Sequence, residues 1–508
     1  MNQQLPHIVF IVLDTHRADR LSCYGYHQQT SPNLDAFARH ATLYQQAIAP
    51  AQWTIPSHAS MFSGEYPSTH LTIQASDALA PAFPTLAETL SQRGYLATGF
   101  CNNPLVGVLD NGLRRGFSAF YNYGGAIPSP YIAKQAGLGQ HIKHSYHNLL
   151  ARIANPIYQS IAASAEVFRF VLNPRLVSLW TRYANFKGHT ARSLQDSLDF
   201  LQNHTGTGKS EPHFLFINLM ETHLPYTPPE DFITRFAPRV QQDPQARRFI
   251  ELYNTRAFHW LLPLEENLLE MEAEVLSGMY DAEVAYQDHL LHALLNELEQ
   301  DYHREQTVVV IVGDHGEMHG EHRVMGHALG VYQELVHVPL LIRFPGQTTA
   351  ESIATPVSTR QIFQTLLVET GDHESPAGLP QSANQQTNEA VLSEAFPPDN
   401  MILTMEKLTP HLIEVFHGRA NHKALLQANW KLLQVAGIHN QLFNLQSDSQ
   451  EANNLGGIEI TRRDQMLAEL EQAVELARQR RPAGLQRAEV DLSDERLARR
   501  LRGLGYLD

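Results

Sequence analysis

The chain is expected to fold as an α/β protein: a mostly parallel, doubly wound sheet flanked by helices, with a smaller C-terminal α+β subdomain. Three observations lead there. Four strand-length runs are largely apolar (HIVFIVL at 7–13, LATGF at 96–100, HFLFINLM at 213–220, TVVVIVG at 307–313), as strands buried on both faces must be. Helix-patterned segments lie between them, the order expected of crossover connections in a parallel sheet. Each run ends in polar residues, so the C-terminal edge of the sheet is where a site belongs.

The elements follow in order. The first strand, 7–13, stops at Asp14. A helix is expected over 31–40, with Ser31 or Asn33 available as cap and Pro32 in the first turn. PTLAETLSQR at 84–93 reads as a second helix, stopped by Gly94. The strand at 96–100 leads into the polar loop Cys101-Asn102-Asn103-Pro104. Two helical insertions are expected at about 125–190 and 230–300. The first is rich in aromatic and aliphatic residues over 141–186, and periodicity leaves open whether it is a lid, a membrane-touching surface, a contact between copies or simply packed helix. The second contains one long amphipathic helical region, 264–299. Residues 371–390 lack periodicity and read as a linker between a catalytic domain, 1–370, and a subdomain, 391–508. In that subdomain AVLSEAF, HLIEVF and WKLLQVA are strand candidates, and a helix is expected over about 461–481.

Composition narrows the function. A chain of 508 residues holds one large domain and a smaller one, taking about 100–200 residues per domain. The formal charge of −15 argues against nucleic acid or an anionic membrane as partner, so an anionic substrate must be drawn by a local positive site. Two cysteines, Cys23 and Cys101, imply no disulfide framework. The start, MNQQLPHIVFIVLD, has no basic segment followed by an apolar one, and no run of about 18 apolar residues occurs. A cytoplasmic protein without a transmembrane segment is expected.

Four segments carry the chemistry: VLDTHRADRLSCYGY at 12–26, WTIPSHASMFSG at 53–64, FLFINLMETHLPYTPP at 214–229 and GDHGEMHGEHRVMGHALGVYQE at 313–334. With VPLLIRFPG at 338–346, LFNLQSDSQEANNL at 442–455 and the final LGYLD, they resemble the sulfatase branch of the alkaline phosphatase superfamily over most of the chain. The second segment is similar to the signature C/S-x-P-S-R-x-x-x-x-T-G. Thr54 stands where the family oxidises Cys or Ser to formylglycine, and His58 stands in place of the Arg. Thr cannot become that aldehyde hydrate, so its hydroxyl itself is expected to attack, activated by a metal and without formylglycine.

The resemblance implies one divalent metal held by Asp14, Asp314, His315 and Thr54. Sulfatases typically have two adjacent Asp where this chain has Asp14-Thr15, and many have Asp-Asn where it has Asp314-His315. Nitrogen in place of oxygen favours Mn²⁺ or Zn²⁺, with Ca²⁺ or Mg²⁺ also possible. By the same resemblance His223 or His327 assists departure of the alcohol, and His58 orients Thr54 or packs against its turn. The family's G-K-W-H element is replaced by GFCNNPL, where Asn102 or Asn103 is placed to donate to a substrate oxygen. Arg17 and Asp19 are read as holding the first loop, Cys23 as packed beneath it, and His319 and His322 as solvated loop histidines.

The expected activity is metal-dependent ester hydrolysis on a small anionic ester. Phosphodiesters, phosphomonoesters or phosphonate esters are favoured, because a phospho-threonine hydrolyses by in-line displacement whereas a sulfated Thr lacks the second hydroxyl that expels sulfate. Sulfuric ester hydrolysis, phospho-group transfer and a non-catalytic binding role are the alternatives. A homo-oligomer could form through the helical insertions.

Overall fold

The computed structural model describes residues 5–124, 132–133, 187–205, 211–255, 262–372, 378–385, 389–435, 437 and 439–490. The insertion at 141–186 and the final LGYLD lie outside these. The central sheet has nine strands: β1 (His7–Leu13), β2 (Thr42–Tyr44), β3 (Leu96–Cys101), β4 (Ala119–Asn122), β5 (Ile132–Ala133), β6 (His213–Leu219), β7 (Thr307–Gly313), β8 (Leu340–Arg343) and β9 (Glu351–Ile353). Their spatial order is β9-β2-β8-β7-β1-β6-β3-β4-β5. The five strands β7-β1-β6-β3-β4 are parallel to one another, whereas β8 runs antiparallel to β7 and β2, and β5 antiparallel to β4. All four apolar runs are therefore central strands. Every residue of β1, β6 and β7 is buried, because helices cover both faces.

Register places the site. Leu13 pairs with Gly313 and with Leu219. Asp14 and Asp314 are thus the next residues out of two adjacent parallel strands, on the same side of the sheet. Thr54 opens the helix α2 (Thr54–Ser63), all ten residues of which are buried; α1 precedes it at Pro32–Ala38. The Ser57 hydroxyl donates to the Asp314 carbonyl at 2.6 Å and docks the first turn of α2 onto the end of β7.

Local chemistry accounts for several elements. α3 (Leu86–Gln92) starts with a capping box between Thr85 and Glu88. α1 is capped differently from expectation. The Ser31 hydroxyl is engaged with Ser22 and Asp35, and the amides of Asn33 and Leu34 donate instead to Asp288. Asp288 lies on α4 (Glu270–Leu298), the long helix expected at 264–299. No helix among the described residues is long and apolar enough to cross a membrane.

The C-terminal part is a four-stranded antiparallel sheet, β10 (Val391–Ala395), β11 (His422–Gln427), β12 (Trp430–Val435) and β13 (His439–Asn444), with α6 (Ile460–Gln479) packed on it. The stretch HLIEVF is not a strand but lies in α5 (Pro410–Val415). Pro410 is pre-set for the first helical turn, and Leu412 and Ile413 are buried together on one side of it.

Three buried histidines outside the Asp14–Asp314–His315 end of the sheet predict acid lability. His7, His70 and His422 are pushed down to about 4, 3 and 4 respectively, in each case chiefly by burial. They stay neutral when folded but take a proton near pH 6.5 when unfolded. Stability is therefore full above that pH and falls as pH drops toward 4, each histidine adding a slope of about 1.4 kcal/mol per unit. Calorimetry between pH 6.5 and 5 should show Tm falling less steeply in His422→Leu than in the unaltered chain, and equal slopes would contradict this.

Candidate active site

Asp14, Asp314 and His315 are completely buried, and one ligand-type atom from each lies within 4.8 Å of the others. Each is oriented by a neighbour. The Asn103 amide donates to Asp14 Oδ2 at 2.6 Å, which leaves Oδ1 without a hydrogen-bond partner. Asp314 Oδ1 accepts from the backbone amides of Thr15 (3.1 Å) and His315 (2.8 Å), and its Oδ2 has no hydrogen-bond partner. His315 Nδ1 meets the Gly316 carbonyl at 2.9 Å, which fixes the proton on Nδ1 and leaves a lone pair on Nε2. That Nε2 accepts from the Thr54 hydroxyl at 3.3 Å. Two buried carboxylates with orphan oxygens beside a neutral imidazole lone pair fit a divalent cation. Burial and the nearby Asp14 charge push the Asp314 carboxyl well above the usual range, the expected strain of a cation-binding pair.

Thr15 takes the place of the second Asp without its chemistry. It is held at φ +54°, unfavourable for a β-branched residue, and its hydroxyl donates to the Asp14 carbonyl at 2.7 Å.

His58 lies under this cluster. Its Nδ1 donates to the Thr54 carbonyl at 2.9 Å and is 3.5 Å from Asp314 Oδ2, while Nε2 accepts from Asn218 at 3.4 Å. Both ring nitrogens are engaged and the residue is fully buried among Phe62 and Phe216. It therefore meets the Thr54 turn from below the cluster.

His223 and His327 form the partly exposed rim. The His327 ring is 4.7 Å from His315 and 5.4 Å from His223, centroid to centroid. His223 Nδ1 donates to the Leu224 carbonyl at 2.7 Å, and burial, then His327, lower its pKa. His327 Nδ1 sits 3.1 and 3.2 Å from the two oxygens of fully buried Glu317. Burial opposes protonation of His327, but this carboxylate and the Asp14 charge together outweigh it and raise the pKa.

The two loop asparagines separate. Asn103 holds Asp14, while both amide hydrogens of Asn102 are engaged by the Lys187 carbonyl (3.1 Å) and the Thr190 hydroxyl (2.9 Å). A substrate oxygen would have to displace one of these contacts. His319 is not solvated, and His322 is half-buried. His319 is buried with Nε2 against the Tyr226 hydroxyl at 2.9 Å, and His322 stacks on Tyr332 at 3.9 Å. Arg17 does brace the first loop, through Asp19 and Glu321. Glu317 was missed by sequence reasoning, although an acid three residues beyond Asp314 was its visible signal.

The sulfatase family model matches residues 6–371, which include every residue of this cluster. The chain belongs to the sulfatase family. It is 22% identical over 456 residues to an uncharacterized sulfatase, YidJ, of Escherichia coli K12, covering 89% of this chain and 83% of that protein. Among solved structures, this sulfatase-family chain is similar to a phosphonate monoester hydrolase of Agrobacterium radiobacter (TM-score 0.63, 18% identity, 94% of this chain and 96% of that one). It is equally similar to a structure solved with its substrate D-glucosamine-2-N,6-O-disulfate (TM-score 0.63, 15% identity, 94% and 98% covered). Family members are ester hydrolases, and so is this one by membership. At these identities the structural likeness establishes the shared fold.

Proposed function

We propose that this sulfatase-family hydrolase cleaves phosphodiesters, phosphomonoesters or phosphonate monoesters with Thr54 as direct nucleophile. The observation that carries the reading is Thr54 itself: a hydroxyl that cannot become formylglycine, at the head of a buried helix and 3.3 Å from His315 of the Asp14–Asp314–His315 cluster. A divalent metal, Mn²⁺ or Zn²⁺ by the mixed oxygen and nitrogen donors, would lower the pKa of that hydroxyl and polarise the ester.

The chain's own residues do the rest. With its proton released to solvent, Thr54 Oγ1 attacks phosphorus in line; the P–O bond to Thr54 forms as the bond to the alcohol oxygen breaks. That oxygen takes a proton from His327, which Glu317 keeps oriented and charged. His223, neutral with its proton on Nδ1, presents an Nε2 lone pair beside His327 rather than a donor to the anion. Water then attacks phosphorus, passing a proton to the now neutral His327 as the P–O bond to Thr54 breaks, and the Thr54 oxygen regains a proton from solvent. The phosphonate ester hydrolase relative supports this reading, and the relative bound to a sulfated sugar supports sulfate esters as the second.

The test compares metal-reconstituted protein on a nitrophenyl phosphodiester, phosphomonoester, phosphonate ester and sulfate. Turnover of phosphoryl esters well above sulfate is expected. A dominant sulfate activity would replace the first reading with the second.

A further inference from the structure

Glu451 comes from the loop after β13, in the C-terminal subdomain, yet it is 3% exposed and reaches the segment that follows His327. One of its carboxylate oxygens accepts from the Gln333 amide at 2.6 Å, and the other is 2.7 Å from Lys431 Nζ, on β12 and fully buried. Glu451 itself is held at φ +53°, an unfavourable backbone for a residue with a long side chain. The next residue along, Glu334, gives its backbone carbonyl to the Glu317 amide at 3.1 Å, and the Leu335 carbonyl accepts from Gly316 at 2.7 Å. The approach is so close that a Cβ at 316 would lie 1.9 Å from the Glu334 oxygen, so only glycine fits there. The last link is the Glu317 carboxylate on His327.

His322, Glu334 and Glu451 also bring three ligand-type atoms within 4.8 Å of one another. Lys431 decides against an ion: its ammonium already meets Glu451 from inside the same cluster.

We propose that the Lys431–Glu451 pair is a positioning device through which the C-terminal subdomain sets the backbone of 333–335, and through it the Glu317–His327 couple. The inference rests on His327 serving as donor to the leaving oxygen. Lys431 fixes the Glu451 carboxylate; Glu451 pins Gln333; the two backbone bonds from 316–317 carry that register to Glu317. Glu451 and Lys431 touch no reacting atom, so their effect must appear only where His327 matters.

Leaving groups give that readout. Alkyl esters need a proton at the departing oxygen, whereas a nitrophenolate leaves without one. Glu451→Ala should lower kcat on an alkyl ester by about 10- to 100-fold while leaving the nitrophenyl ester nearly unchanged. Metal content should stay at one ion per chain. The paired change K431M/E451L leaves no charge stranded in the interior, so it keeps the test alive if E451A does not fold, and it should show the same selective loss. K431M/E451Q retains an acceptor for Gln333 and should recover alkyl-ester turnover. His327→Ala is the control. If H327A loses alkyl esters selectively but the Glu451 variants lose both substrates equally, the positioning role is wrong and the His327 assignment stands. If H327A shows no selectivity, the His327 assignment fails and the inference falls with it. A second ion per chain that disappears in E451A would also overturn it.

Discussion

Thr54→Ala is expected to reduce kcat/KM by about 10⁴-fold or more, the scale on which covalent catalysts lose activity with their nucleophile. The loss should come without unfolding. Thr54 is the first residue of α2, its hydroxyl has the 3.3 Å contact to His315, and the helix is held by Ser57 on the Asp314 carbonyl and by burial of all ten residues. Thr54→Ser keeps the hydroxyl and should retain most of the rate. Steady-state kinetics with a thermal melt on each variant decide this, and quenched turnover followed by mass spectrometry should place the phospho group on the peptide carrying Thr54. Substantial turnover by T54A would remove the nucleophile from the mechanism.

The second large effect concerns the paired carboxylates. Asp14 and Asp314 are both fully buried, and their unpartnered oxygens face the same small volume as His315 Nε2. Metal should stabilise the folded chain by about 2.7 kcal/mol at a hundredfold excess over its Kd. Asp314→Asn should abolish that gain. It should also make the metal-free protein slightly more stable than the metal-free wild type, because one of two crowded carboxylates is gone. Melts with and without Mn²⁺ or Zn²⁺, together with metal analysis, check both statements. Stoichiometric metal retained by D314N would rule out Asp314 as a principal ligand.

What could be read from the residues follows how strongly each is constrained. The runs at 7–13, 213–220 and 307–313 were legible because burial on both faces leaves little room for polar residues, so the pattern survives without any knowledge of neighbours. Their mutual register was not legible, and it is the register that sets Asp14 beside Asp314. HLIEVF was misread because six apolar-rich residues suit a strand or a single helical turn equally, and Pro410 was the better guide. Ser31 looked like a cap, but a carboxylate on a helix over 250 residues away took that role. Glu317 passed unnoticed because an acid in a polar loop looks solvated, whereas the fold buries it completely against His327.

The position of β1 between β6 and β7 has a consequence for how the enzyme comes into being. β1 must wait for β7, the last of the central strands, and the cluster draws Asp14 and Asp314 from points 300 residues apart. Contacts so distant along the chain form late and slowly. During synthesis Asp14 has neither its register partner nor His315, so the centre is built only after residue 315 has left the ribosome. Metal loading would then follow that pairing, and acquisition of the ion during refolding should report closure of the β1–β7 pairing itself.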